Sequence, residues 1–267
     1  MADISVNSSR EKEVTDRIKE LFMNIVRLDE SGTSGEINLE KVNWVTPLSI
    51  LPLAVKISKK IENNPELNIV YPSNEVAGYL KYMHFPNGLN EYGSYSQSAS
   101  YIPIVCINLE GNSKNEGVDN AISKYASLLD NLIQDQEYKQ NIQEAISYLL
   151  SEGASNVLQH SNSNRLWIFA QYWRSKNEIE ICLADEGVGF KNAYQNAENP
   201  RYPKDDADAI KYALKGVSSK YGVENSERGY GIRTSLRLVT ESELNGEFLI
   251  ISGDACYSGM KKQFFIV

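Results

Sequence analysis

The chain has 267 residues, with 42% hydrophobic and 23% charged side chains and a net charge of -8. That balance is ordinary for a globular protein and too apolar for a largely disordered one. With 27 Lys plus Arg against 35 Asp plus Glu, and no basic block, a nucleic-acid backbone is not the expected partner.

In chain order, the start MADISVNSSREKEV lacks the apolar segment of a signal peptide. The longest apolar run, VTPLSILPLAV, is too short to span a bilayer and is twice interrupted by proline. A cytoplasmic protein without membrane contact is expected. Residues 9 to 26 place Val14, Ile18, Leu21, Phe22 and Ile25 at helical spacing. EINLEKVNWV then reads as a strand, and TPLSILPLAVKISKKIE as a helix in which Thr46 can cap and Pro47 suits the first turn, while Pro52 sits awkwardly. A strand LNIVYP, a helix NEVAGYLKYMHF, a polar tract and a strand YIPIVCINL follow. This alternation predicts a small α/β domain over 1–110. The linker-like GNSKNEG, 111–117, marks the boundary.

Beyond it, 118–132 and 136–160 read as helices, the second with Ile142, Ile146, Leu149, Leu150, Ala154 and Val157 on one stripe. RLWIFAQYW and EIEICLAD form a predicted hairpin. The polar stretch GFKNAYQNAENPRYPKDDADA is too long for an ordinary connection and reads as a mobile functional loop. Helices DAIKYALKGV and IRTSLRLVT and strands EFLIISG and KQFFIV complete a second domain, 118–267, an α/β sandwich with helices on one face of a mixed sheet. The overall class is α/β (α+β). Cys106, Cys182 and Cys256 stand far apart in strand-like contexts and read as buried thiols of a reducing compartment. With His84 and His160 as its two histidines, the chain is a poor candidate for a Cys/His zinc site. His84 itself reads as core or surface packing.

Three polar signals interrupt these patterns. Glu152, Asn156 and His160 lie at successive four-residue steps, so an α-helix would line them up on one face. Asp185, Gly187 and Gly189 form DEGVG at a strand end, where a carboxylate can project and glycines allow close backbone approach. Arg228, Gly229, Tyr230, Gly231 and Ile232 precede a helix whose N-terminal N–H groups can hold phosphate oxygens. Each alone also reads as a solvated edge or a turn, and His160 near a helix C-terminus can simply favour the dipole. Their order and separation point to one nucleotide site.

In that order ExxxNxxxH, DxGxG and GxG resemble the ATP-binding module shared by gyrase, the large heat-shock chaperones, histidine kinases and the mismatch-repair protein MutL, the GHKL superfamily with its Bergerat fold. The resemblance implies that Asn156 binds Mg²⁺, that Glu152 orients or deprotonates the attacking water or hydroxyl, and that Asp185 accepts a hydrogen bond from the adenine amino group. It further implies that Gly187 and Gly189 admit base and ribose, that Gly229 to Ile232 cap the phosphates, and that the residues between form a lid. Lys220, after Ser218 and Ser219, falls where such lids approach the γ-phosphate, though a polar helix end explains it equally.

The chain ends a short way past RGYGI, so no transducer domain of the gyrase kind is expected, and His84 lacks the flanks of a phosphoacceptor histidine. The pattern looks more like the anti-sigma-factor serine kinases. The first half is similar to the STAS-like fold of their antagonists, but Thr46-Pro47 stands where those tend to have Asp-Ser, and Thr46 and Ser49 read as helix-start residues. Expected partners are therefore ATP and a regulatory protein, with a homodimer also compatible. Phosphotransfer to a protein, plain ATP hydrolysis and nucleotide binding by an adaptor remain three separate expectations.

Overall fold

A computed structural model describes residues 1–7, 12–32, 35–90, 101–110, 119, 123, 127, 139–176, 178–198, 200–217, 231–241, 244, 246–259 and 263–266. The fold is α+β. The chain divides into two compact units, Met1–Asn108 with Arg165–Glu186, and Leu109–Asn164 with Gly187–Val267. The expected division at 110 and 118 follows the chain, whereas the first unit also takes in the later hairpin Arg165–Glu186. The linker 111–117 lies outside the described residues, as does the helix expected over 118–132 apart from 119, 123 and 127.

In the first unit, β1 (Ala2–Val6), β2 (Glu36–Val42) and β3 (Asn68–Val70) form a parallel sheet in sequence order. Helices α1 (Val14–Glu30) and α2 (Pro47–Asn63) make the crossovers that parallel pairing requires. α1 buries Val14, Ile18, Leu21, Phe22 and Leu28 and starts later than its expected residue 9. α2 buries Leu48, Ile50, Leu51, Leu53, Ala54, Val55 and Ile57, and this apolar burial outweighs the helix hydrogen bond that Pro52 cannot donate. α3 (Glu75–Tyr82) ends at His84, which is exposed with φ 58°, a left-handed helix stop rather than a core position.

α2 begins as its sequence predicts. Thr46 is extended, as a residue before proline must be, and its Oγ1 accepts the Ser49 N–H while Ser49 Oγ accepts the Thr46 N–H. Thr46 is 0% and Ser49 4% exposed, so this conformation shields both hydroxyls from any modifying enzyme. Thr46→Ala is expected to cost about 1–2 kcal/mol, because the cap also accepts a hydrogen bond from the Arg17 guanidinium, and Thr46→Ser less than half of that. Urea midpoints of the two variants check this.

A second sheet of the first unit has the order β4 (Leu89–Asn90), β5 (Tyr101–Asn108), β6 (Arg165–Trp173), β7 (Glu178–Asp185). β6 and β7 coincide with the predicted hairpin. β6 is central, and Leu166 through Ala170 are all buried, which is why its sequence is a continuous apolar run rather than an alternation. Its partner on one side is β5, Tyr101 opposite Gln171 through Asn108 opposite Arg165, so among the described residues the hairpin shares its sheet with a strand of 1–110. The apolar β5 offers β6 a ladder edge from the other half of the sequence.

The second unit holds α4 (Lys139–Asn156), α5 (Gly189–Gln195), α6 (Asp206–Leu214), α7 (Gly231–Thr240) and an antiparallel sheet β8 (Leu249–Ser252), β9 (Ala255–Ser258), β10 (Gln263–Ile266). A small core of Ala207, Ile210, Ala255 and Tyr257 takes in Phe190, Leu214, Leu236 and Ile250. The polar stretch expected as a mobile loop from 189 to 209 contains α5 and the start of α6, because Tyr194, Ala207 and Ala209 are buried despite their polar surroundings. The three cysteines are free, and Cys256 is buried while Cys106 and Cys182 are half-buried. Burial pushes the thiols of Cys182 and Cys256 up to about 12, so neither is a thiolate at neutral pH. Among the described residues, no helix is long and apolar enough to cross a membrane.

Candidate functional site

α4 forms because Ala145, Ile146, Leu150 and Ala154 supply a buried stripe. Glu152 and Asn156 lie on it one turn apart, both half-buried. The α-helical ladder ends at Asn156, and Val157–Ser161 winds as a π turn closed by Asn162 at φ 55°. Its wider i→i+5 repeat changes the angular step. Glu152 and Asn156 keep the expected alignment on α4, and His160, half-buried, follows inside the π turn.

The π turn anchors the first glycine motif, since the Val188 N–H donates to the Ser161 carbonyl at 2.8 Å. Gly189 follows with φ 72°, a left-handed conformation that favours glycine, and a Cβ there would lie 3.0 Å from Ser252 Oγ. The same hydroxyl accepts the Phe190 N–H at 3.0 Å. Gly187 is half-buried just before this turn. Asp185, exposed, ends β7 opposite Leu166 and belongs to the first unit.

The second glycine motif meets α4 directly. A Cβ on Gly231 would overlap the Glu152 carboxylate, so Gly231 is the residue that lets this carboxylate reach the first turn of α7. Backbone N–H groups of a helix's first turn have no partner within the helix. Burial holds the Glu152 carboxyl above the usual glutamate range, which makes it a stronger base once ionised. Ile232, half-buried, follows in α7. Ser218, Ser219, Lys220, Arg228, Gly229 and Tyr230 lie outside the described residues. The second unit thus gathers Glu152, Asn156, the Val188–Gly189 turn and Gly231 around the end of α4.

An acidic pair stands on α6 and the β8–β9 turn. The Asp206 carboxylate lies against Gly253, where φ is 59° and a Cβ has no room. Burial, with the neighbouring Asp254 carboxyl, holds the Asp206 carboxyl above its ordinary range, and Lys191 only partly offsets this. The native state therefore holds this proton more tightly than the unfolded chain, so its contribution to stability is complete below the ordinary aspartate pKa and is lost as pH rises through the raised value. Asp206→Asn is expected to flatten the fall in urea midpoint as pH rises from about 4, which a pH series of unfolding curves would show.

Sequence reasoning did not single out Ser252 or Glu186. Ser252 carried no local signal, because the N–H it receives comes from a residue far away in the chain. Glu186 lies inside DEGVG, and its partners Arg165 and Trp167 stand two positions apart on β6, one face of a strand. Among the described residues, no group of three or more His, Cys, Asp and Glu side chains is placed to hold a metal ion. Comparison of the chain with protein-family models, curated proteins and solved structures finds no match in any of the three.

Proposed function

We propose that this protein is a Mg²⁺-dependent ATP-binding protein of the GHKL type, acting on a protein partner as a serine/threonine kinase or an ATP-driven switch. The observation that supports this most is the meeting of the Glu152 carboxylate with Gly231 at the start of α7. Two motifs separated by most of the second half of the sequence converge there, and the cradle is one that any side chain at 231 would fill.

The donor set suits the ligand. Asn156 offers an amide oxygen, a hard donor for a hard cation that takes its other ligands from phosphate and water. Such a cation neutralises developing charge on transferring phosphate oxygens. The first-turn N–H groups of α7 hold phosphate oxygens, and Lys220 adds a point charge. Glu152 accepts the proton of the attacking water or hydroxyl. Asp185 accepts the adenine amino hydrogen, with Gly187 and Gly189 admitting the base and ribose, roles that rest on the sequence motif.

Retention of Glu152 beside Asn156 favours turnover over a pure nucleotide-binding adaptor. The base assignment is tested by competition between ATP and GTP for the Mg²⁺-loaded protein. Wild type should prefer ATP by at least about tenfold, and Asp185→Asn should lose most of that preference, since a lost base-edge hydrogen bond is worth about 1–3 kcal/mol. Equal affinity for the two nucleotides in wild type would remove Asp185 from the adenine role.

A further inference from the structure

α2 packs along both β6 and β7, and the hairpin meets it with a charge at each end. At its start the Leu48 N–H donates to Glu180 Oε1 at 2.7 Å, and the same carboxylate accepts two hydrogen bonds from Arg17 Nη2, at 2.9 and 2.7 Å. At its end the Arg165 guanidinium grips the Glu62 carboxylate, with Nη2 at 2.9 Å from Oε2. The signs match the helix: an anion at the N-terminus, a cation at the C-terminus.

Arg165 does more than close α2. Its Nη2 also donates to Glu186 at 2.6 Å, and the Trp167 indole N–H reaches the other oxygen of that carboxylate at 3.2 Å. Hydrogen bonds from Arg165 hold the Glu62 carboxyl below its usual range, so the pair is ionised together. One guanidinium therefore bridges the last turn of α2 and the residue that follows Asp185. Half-exposed Glu62 adds little to stability, since solvent screens such a pair. Ten buried residues already hold α2 in place. What the bridge fixes is where the strand end stands relative to the helix end.

We infer that the last turn of α2 and the strand end Asp185–Glu186 are one linked element, so that a partner displacing α2 changes the end of β7, and a ligand at Asp185 is felt at α2. The linkage itself stands on the geometry of Arg165; its use in regulating nucleotide binding rests on the ATP reading above. Reciprocity is required: a coupling that runs from α2 to the strand end runs back with the same magnitude.

Hydrogen–deuterium exchange on the 267-residue chain tests it, using Glu62→Gln and Glu186→Gln, two mild substitutions. Glu62→Gln should speed exchange at residues 185 and 186 by about two- to fivefold, and Glu186→Gln should do the same at 59–63, with α1 and the β8–β9 hairpin unchanged. Added Mg²⁺ and ATP should slow exchange at 59–63 in wild type and not in Glu62→Gln. Changes confined in each variant to its own side of Arg165 would overturn the linkage, even if ATP binds. Crossed changes in a protein that binds no ATP would uphold the linkage and overturn the nucleotide reading instead.

Discussion

Glu152→Gln is expected to bind Mg²⁺-ATP within about threefold of wild type and to lose turnover by at least about 100-fold, the range for removing a positioned general base. The amide fills the same space beside Gly231, so the cradle is kept while the proton acceptor is lost. The raised carboxyl sets the sign of the pH dependence: as pH falls the group protonates earlier than an ordinary glutamate, and turnover falls with it. Steady-state phosphate release by wild type and variant between pH 5 and 8 measures both effects. Gly231→Ala should resemble it in rate, because the new methyl occupies the carboxylate's place, while its stability changes little: the atoms that must give way are the far end of a flexible side chain. Equal turnover in Glu152→Gln and wild type would make the carboxyl a structural group.

The second large effect is on stability. Arg17 and Glu180 have side chains only 8% and 16% exposed, and the pair is stitched to Thr46 and to the start of α2. Arg17→Met removes the cation and leaves the carboxylate buried with a backbone N–H, a situation that costs about 3–5 kcal/mol. Adding Glu180→Gln to Arg17→Met should recover a good part of that loss, since the stranded charge is what costs most. Urea unfolding of the two single variants and the double variant gives the coupling directly. A loss below about 1 kcal/mol for Arg17→Met would mean that water reaches Glu180 once the arginine is gone.

The parts of this fold that were legible in the sequence are those governed by local chemistry. Thr46-Pro47 marks the start of α2 because cap and proline act within one turn. β6 and β7 match their predicted bounds because each is an uninterrupted strand pattern flanked by polar residues. Long-range pairing was not legible: nothing within RLWIFAQYW says that its other neighbour is YIPIVCIN, and β1, five residues long, acquires its meaning only against β2. Tertiary burial also overrode composition in 189–209, where a few apolar residues suffice to seat two helices. At the site, the four-residue spacing located Glu152 and Asn156 on one helix face, but the π turn that carries His160 has no sequence signature. The contact of Glu152 with Gly231 could not be read from either motif alone.

The measurement that bears most directly on the central reading is a calorimetric titration of the purified 267-residue chain with ATP, with and without Mg²⁺, alongside Asp185→Asn. Saturable binding of one ATP per chain that weakens without Mg²⁺, and at least about tenfold weaker binding by Asp185→Asn, is the result predicted here. No heat of binding for ATP in wild type, under conditions where the chain is folded, would contradict it and leave the convergence of Glu152 and Gly231 as a packing feature of the second unit.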